Sequence, residues 1–109
     1  MWHLVATAFA LGGTTRDAYG VPHIRSPTDA GAFYALGEAT AQDRPYQLLA
    51  ERTAGLGRMA EFFGPGTGGA NVASDVSART LGFSRYAQRA ADAMNPADRA
   101  LLDAFAAGV

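Results

Sequence analysis

Cysteine and lysine are both absent from this sequence of 109 residues. Without cysteine, disulfide bonds, thiolate nucleophiles and Cys-based zinc sites are all excluded. All nine basic residues are Arg, which forms planar, bidentate pairs with carboxylates more readily than Lys does. Only two histidines occur, and His3 and His23 lie too far apart to form a zinc-binding spacing such as H-E-x-x-H. The sequence therefore predicts no metal site of its own.

A strong net charge and long apolar runs are also missing. The formal net charge is −1 at pH 7, so we expect neither a nucleic-acid partner nor binding to an anionic membrane surface. No stretch approaches the roughly 20 apolar residues of a membrane-spanning helix, and we expect no membrane partner. The apolar run at residues 4–11 fits either the end of a signal peptide or a first strand, although the positively charged region that precedes a signal is missing. We therefore treat residues 1–15 as a poorly specified N-terminal segment.

A short β element is predicted directly after this segment. Residues 14–25 contain Tyr19-Gly20, and Gly adopts the positive φ of a tight turn without a Cβ clash. Pro22 restricts Val21 to extended backbone. We therefore expect two short strands around a turn at Gly20.

Apolar residues at helical spacing predict four helices in the rest of the chain. We expect them at residues 27–40, 41–63, 74–94 and 96–107, with a flexible Gly-rich loop at residues 64–71. Ser26 and Asn95 are the expected N-caps of the first and the last helix, each followed by Pro at the first helical position. Pro45 fits either the start of a new helix or a kink in a continuous one, and both interpretations stay open.

The two C-terminal helices carry apolar stripes and charged pairs. Phe83, Tyr86 and Met94 share one face of the third helix, which we expect to be core or interface. In a fragment, that face would lack its partner and be exposed. The residues expected to point inward from the fourth helix are Leu101, Leu102 and Phe105. Two ion pairs at i,i+4 spacing are expected, Asp75 with Arg79 and Arg99 with Asp103.

Gly64, Gly66 and Gly69 formally match the G-x-G-x-x-G pattern of dinucleotide-binding folds. That fingerprint must follow a strand and open a helix, whereas these glycines follow a helical stretch. The same segment has the spacing of a phosphate-binding P-loop but lacks the Lys that reaches the terminal phosphates. No G-x-S-x-G nucleophile elbow occurs in the sequence. We therefore interpret the segment as a loop without a cofactor.

His23 is the best candidate in the sequence for proton transfer, because imidazole titrates near neutral pH. It lies in Gly-Val-Pro-His-Ile, a turn that leads into a strand, with no clustered partner. We favour a structural histidine bonded to nearby backbone over a general base. A compact hydrolase that uses His23 with a local Ser is a minor alternative.

Asp43 is a charged residue within an apolar helical pattern, and a buried charge is costly without a partner. Arg16, Arg44 and Arg52 are the candidate partners, and the sequence does not choose among them. We expect a structural ion pair in a buried, satisfied polar centre. A substrate-binding role and a solvated surface position are the alternatives.

The most specific feature of the chain is an ordered set of short motifs. The set comprises Arg16-Asp17, Gly20-Val21-Pro22-His23-Ile24, Asp29-Ala30, Gly37, Ala41-Gln42-Asp43-Arg44, Gln47, Glu51-Arg52, Gly57-Arg58, Glu61, Gly64, Asp75, Arg79, Ala87, Asp98-Arg99 and Ala104-Phe105-Ala106-Ala107-Gly108-Val109. In this order it resembles the first part of the α subunit of penicillin acylase-type amidohydrolases, which are N-terminal nucleophile hydrolases. We interpret residues 16–109 as a partial helical region of such a subunit.

The resemblance implies a fragment of an αββα fold, mostly α with a short N-terminal β element in this chain. It implies a precursor that cleaves itself and frees a Ser at the N-terminus of the β subunit, whose own α-amino group is the base. It further implies a β-subunit partner, a small-molecule N-acyl substrate, calcium in some complete enzymes, and a periplasmic or secreted location. In this family the pocket and calcium residues come later in the α subunit. We therefore assign no catalytic, substrate-binding or metal-binding residue and no cofactor to this chain.

The function predicted from the resemblance belongs to the complete enzyme. It is hydrolysis of linear amide bonds in N-acyl substrates, such as β-lactam antibiotics or acyl-homoserine lactones. We expect this chain to be a fragment of a longer precursor and to be inactive alone, because the nucleophile lies on the β subunit. The alternative is a free-standing helical binding module without catalysis.

Overall fold

The computed structural model describes residues 13–109, and most of them are helical. The predicted signal remnant or strand at residues 4–11 lies outside the described residues. The elements in chain order are β1 (Gly13–Arg16), β2 (Pro22–Arg25), α1 (Asp29–Asp43), α2 (Pro45–Leu56), α3 (Met59–Phe63), a 3-10 turn (Thr67–Gly69), α4 (Ala70–Leu81), α5 (Phe83–Ala93) and α6 (Pro96–Gly108). The predicted fold class, mostly α with a short N-terminal β element, is confirmed.

The described residues belong to two compact units. The first contains β1, β2, α1 and α6, and the second, Pro45–Met94, contains α2 to α5 with the 3-10 turn. The hairpin motif and Asp43 therefore lie in the first unit. The Gly-rich segment and the Phe83 stripe lie in the second.

The N-terminal hairpin pairs β1 and β2 in antiparallel fashion. Gly20 has a φ of +80°, the left-handed conformation expected at the turn. The Asp17 carboxylate closes the turn, because its Oδ1 accepts hydrogen bonds from the N–H groups of Tyr19 at 2.9 Å and Val21 at 3.0 Å. The predicted strand–turn–strand is therefore confirmed, and Asp17 supplies the side-chain acceptor that such turns favour.

Helix α1 begins at Asp29, and its cap is Thr28 rather than the predicted Ser26. Thr28 has extended backbone angles, and its hydroxyl accepts a hydrogen bond from the N–H of Gly31 at 3.1 Å. That is the geometry of an N-cap three residues before its donor. Ser26 lies too early in the chain for this role and instead accepts from the N–H of Thr28 at 3.3 Å. Pro27 consequently precedes the helix and does not occupy its first position.

Helices α1 and α6 form the core of the first unit through small residues. The buried alanines of the unit are Ala35, Ala39 and Ala104. A Cβ added to Gly37 would collide with the carbonyl oxygen of Phe105, and a Cβ added to Gly108 would collide with that of Tyr34. The two backbones therefore meet directly at both glycines.

Helix α6 starts as predicted, and Leu101 and Phe105, two of the three residues expected to point inward, are half-buried. Asn95 caps it by accepting the N–H of Asp98 at 2.9 Å, and Arg99 pairs with Asp103 at 3.0 Å. Leu102 is 45% exposed, so its predicted inward position is wrong. Residues two apart on a helix lie about 200° apart around its axis. Leu102 therefore faces away from α1 when Ala104 faces towards it.

The predicted second helix, residues 41–63, is divided into separate helices. Pro45 begins α2, which settles the alternative in favour of a new helix, because Pro lacks the N–H that a continuous helix needs. Gly57 has a φ of +65° and follows the end of α2 before α3 begins at Met59. Gly55 lies within α2 and does not interrupt it.

The predicted third helix starts earlier than expected and is broken. It begins at Ala70, so the expected loop at residues 64–71 is shorter and contains the 3-10 turn. Gly82 has a φ of +76° and a ψ of 35°, and this left-handed residue ends α4 and precedes α5. A single Gly within a helical pattern is ambiguous in sequence, because it is tolerated in a helix and also ends one.

Candidate functional site

Arg16 and Asp43 form a bidentate ion pair that joins the hairpin to the end of α1. Nη2 of Arg16 donates to Oδ1 of Asp43 at 2.7 Å, and Nη1 donates to Oδ2 at 3.0 Å. Nη1 also donates to the carbonyl of Gly20 at 2.9 Å, so the same guanidinium holds the turn. The hydrogen bond to Asp43 raises the pKa of Arg16 above its ordinary value.

The geometry selects Arg16 from the three candidate partners of Asp43, and the predicted structural ion pair is confirmed. The expectation of a buried polar centre is wrong. The side chains of Arg16 and Asp43 are 36% and 40% exposed, because the pair lies at the solvent-facing junction of hairpin and helix.

A shallow cavity of about 270 Å³ adjoins this pair in the first unit. Leu36, Thr40 and Asp43 are among the residues that line it. Pockets for small molecules commonly measure about 300–1,000 Å³. Because both carboxylate oxygens of Asp43 already accept hydrogen bonds from Arg16, the arrangement suits holding the hairpin better than binding a substrate.

His23 bonds to a carboxylate instead of the expected backbone. Its Nε2 lies 3.0 Å from Oδ2 of Asp17, the oxygen that is not engaged by the turn. This hydrogen bond is the largest cause that lowers the pKa of Asp17, followed by the N–H of Val21, while the N–H of Tyr19 adds a smaller effect. The prediction that His23 bonds to nearby backbone is therefore wrong. Its partner is the carboxylate of Asp17, and this contact helps to fix the turn.

The His23–Asp17 pair resembles the base and orienting carboxylate of a hydrolase only in part. A nucleophilic site also needs a hydroxyl within hydrogen-bond reach of the base and donors for the developing oxyanion. Here the carboxylate is engaged by two backbone N–H groups of its own turn. The pair is thus built as a support for the hairpin, and the assignment of no catalytic residue to this chain stays a prediction.

In the second unit, Asp75 has a role that the sequence interpretation missed. Its side chain is buried, with the residue 8% exposed, and its two oxygens accept the N–H groups of Met59 at 2.7 Å and Ala60 at 2.9 Å. Arg79 donates from Nε to the carbonyl of Gly57 at 2.8 Å. The predicted Asp75–Arg79 ion pair is therefore wrong, because Asp75 bonds to backbone at the start of α3 and Arg79 bonds to the backbone of Gly57 before it. One sequence signal pointed to this role. Arg58 precedes α3 and has no side-chain oxygen to cap the helix, so the first N–H groups of α3 need an acceptor from elsewhere in the chain.

The resemblance implies a calcium ion in some complete enzymes, and the assignment of no calcium ligand to this chain stays a prediction. Calcium takes about six to eight oxygen ligands. Among residues 13–109, no three His, Cys, Asp or Glu side chains are grouped to hold a metal ion. In the same part of the chain, no helix has the length and apolar character needed to span a membrane.

Known proteins similar to this chain are enzymes that act on acyl compounds. Three curated relatives match over 94 residues, or 86% of this chain. They are Penicillin acylase 2 proenzyme from Pseudomonas sp. (strain SE83) at 37% identity, acyl-homoserine lactone acylase QuiP from Pseudomonas aeruginosa at 32%, and penicillin G acylase from Escherichia coli at 31%. The chain spans 12% of the length of the first relative and 11% of the other two.

The fold is also similar to a solved acylase. A thermostable penicillin G acylase from Alcaligenes faecalis matches with a TM-score of 0.78 and 33% sequence identity, covering 89% of this chain and 50% of that chain. The family model described as Penicillin amidase matches residues 14–109, from the first strand through α6. The hairpin motif, the charged end of α1 and the later helices all fall inside that match. The chain therefore belongs to the penicillin amidase family.

Proposed function

We propose that this chain is the N-terminal part of the α subunit of an acylase that hydrolyses linear amide bonds of N-acyl substrates. The observation that carries the proposal is the family match over residues 14–109, together with the small share of each relative that the chain spans. The greater part of such an enzyme lies outside these residues. The nucleophile, a Ser freed at the N-terminus of a β subunit, belongs to that remaining part.

In this proposal the polar residues of the first unit are structural. The Arg16–Asp43 pair fixes the hairpin against α1, and the Asp17–His23 pair fixes the turn. Neither pair presents an activated hydroxyl to a substrate. The chain alone is accordingly inactive, and it contributes by presenting a folded surface to the β subunit.

The substrate class rests on the named relatives. Two of them are penicillin acylases and one is an acyl-homoserine lactone acylase. N-acyl compounds with a linear amide bond are common to both activities, so we propose that class without choosing between β-lactam antibiotics and acyl-homoserine lactones. Any calcium is held by the remaining part of the precursor, and the complete enzyme is periplasmic or secreted.

A chromogenic phenylacetyl amide tests the proposal when this chain and the complete precursor that carries it are assayed in parallel. We expect turnover above the blank from the processed precursor and none from the 109-residue chain. N-acyl-homoserine lactones, followed by release of free homoserine lactone, provide the second substrate. Turnover by the isolated chain would overturn the proposal that the nucleophile lies outside it. No turnover of either substrate by the processed precursor would overturn the proposed activity.

The alternative of a free-standing helical binding module is less consistent with the exposed apolar side chains of the second unit. Phe62, Val76, Leu81, Phe83 and Tyr86 are all exposed. Large apolar side chains that are exposed together are typical of surfaces that contact another part of a protein. It supports a segment that is covered by the rest of a larger protein.

A further inference from the structure

Helix α5 has no buried residue, although it is strongly amphipathic. Phe83 and Tyr86, two members of its predicted apolar stripe, are 52% and 57% exposed within the described structure. An amphipathic helix gains most of its stability by burying its apolar face against a partner. The exposure of both residues therefore indicates that the face of α5 is covered by something outside this unit.

A groove in the second unit runs along α5. Its larger part has a volume of about 580 Å³, and an adjoining part of about 420 Å³ shares four lining residues with it, Gly55, Leu56, Ser84 and Gln88. The larger part is lined by three arginines, Arg79, Arg85 and Arg89, and none of the described residues that line it is Asp or Glu. The adjoining part is lined by one further arginine, Arg52, and by one carboxylate, Glu51. The positive charge is therefore concentrated in the larger part of the groove, beside Arg85 and Arg89.

The arginines of α5 are held on one side of that helix. The guanidinium carbons of Arg85 and Arg89 lie 5.7 Å and 5.8 Å from the ring centroid of Tyr86. These two residues are spaced i,i+4, where like charges on a helix are destabilising. A carboxylate placed between them would offset this repulsion and accept the planar, bidentate hydrogen bonds that guanidinium groups form.

We infer that this groove binds a carboxylate-bearing polypeptide segment from the remaining part of the same precursor. The inference rests on the proposed function, because it takes the chain to be one part of a longer enzyme. The chain spans 12% of its first curated relative, so most of the polypeptide that could cover α5 lies outside these residues. The segment carries an Asp or Glu that pairs with Arg85 and Arg89, and apolar side chains that cover Phe83 and Leu56.

The test introduces an amine where the carboxylate is expected. Arg89→Lys and, separately, Arg85→Lys are made in the complete precursor, which is treated with a zero-length carbodiimide that joins an amine to a carboxylate in contact with it. Mass spectrometry of the digest then identifies the joined peptides. We expect a cross-link from position 89 or 85 to an Asp or Glu outside residues 1–109. The control variant is Arg25→Lys, because Arg25 is an exposed arginine at the end of β2 in the first unit. We expect at least tenfold less cross-linking from position 25 to the same external Asp or Glu.

Two results would overturn the inference. One is that positions 85 and 89 yield no cross-link, or cross-link only within residues 1–109, for example to Asp92 on α5 itself. The other is that Arg25→Lys gives the same external product in equal amount. The acylase assay separates this inference from the proposed function. An inactive precursor with the expected cross-link refutes only the activity, and an active precursor without the cross-link refutes only the docking segment.

Discussion

Two aspartates, Asp17 and Asp75, each accept two backbone N–H groups and thereby hold a turn and a helix start. The hydrogen-bond partners of Asp17 can be predicted from sequence more readily than those of Asp75, because they lie closer along the chain. The partners of Asp17 are two and four residues away in sequence, within a recognisable turn. Those of Asp75 are 16 and 15 residues away, so no local pattern points to them. Sequence spacing instead suggested the i,i+4 partner Arg79, which the fold directs to Gly57.

At Asp75 we predict a large loss of stability on substitution. Asp75→Ala leaves the half-buried N–H groups of Met59 and Ala60 without their acceptor, at an expected cost of about 2 kcal/mol in the free energy of unfolding. Asp75→Asn is the matched control, because it keeps one carbonyl acceptor and should cost less. Urea denaturation of the three proteins measures the difference. Equal stability of Asp75→Ala and the parent chain would contradict this role.

The titration of Asp17 gives a second prediction for a single residue. His23→Ala removes the largest cause of its lowered pKa, so the pKa of Asp17 should rise towards its ordinary value while staying lowered by the turn N–H groups. Carbon NMR of the carboxyl group measures the change. Glu61 is the internal control, because the hydrogen bond to Arg58 is the largest cause that lowers its pKa, and His23→Ala should leave that unchanged.

The lowered pKa of Asp17 makes the stability of the fold depend on pH. A carboxyl whose pKa is lower in the folded state stabilises the fold above the pKa of the unfolded state. The contribution of Asp17 is therefore fully present at neutral pH and is lost as the pH falls through its folded pKa. An unchanged Asp17 titration in His23→Ala would show that the 3.0 Å contact does not hold in solution.

At the scale of secondary-structure elements, the contact between α1 and α6 depends on glycine. Gly37→Ala places a Cβ against the carbonyl of Phe105, a backbone atom that cannot rotate away, so we expect a loss of about 1–3 kcal/mol from overpacking. Gly55→Ala is the control, because a Cβ there meets no atom within 4 Å and Ala is the better helix former by about 0.5–1 kcal/mol. Thermal melts of both variants test the contrast, and a stabilising Gly37→Ala would contradict the close packing.

The elements were predictable where a local signal is unambiguous. Asn95-Pro96 specifies the start of α6, and Gly20 specifies the hairpin turn, because cap and turn chemistry act within a few residues. Gly82 was not recognised as a helix end, since its left-handed conformation depends on packing that sequence alone does not reveal. Thr28 displaced Ser26 as the cap of α1 for a similar reason, as both hydroxyls satisfy the pattern and only backbone angles distinguish them.

At the scale of the whole molecule, tertiary distances decide which residues of the candidate site come together. The three possible partners of Asp43 could not be ranked, because ion-pair choice depends on tertiary distance, and the structure selects Arg16. The resemblance was carried by ordered motifs spread over the chain, and the family match over residues 14–109 agrees with it. The chain spans only 12% of the first relative and 11% of the other two, and the proposed function places catalysis on residues that are not among these 109.

The most direct test of that assignment is to locate the nucleophile. The processed enzyme is treated with a serine-directed sulfonyl fluoride until acylase turnover stops, and mass spectrometry identifies the modified residue. We predict one modified Ser, at a newly formed N-terminus outside residues 1–109, with every residue of this chain unmodified. Stoichiometric modification of a Ser within this chain, such as Ser84 in the groove along α5, would contradict the account.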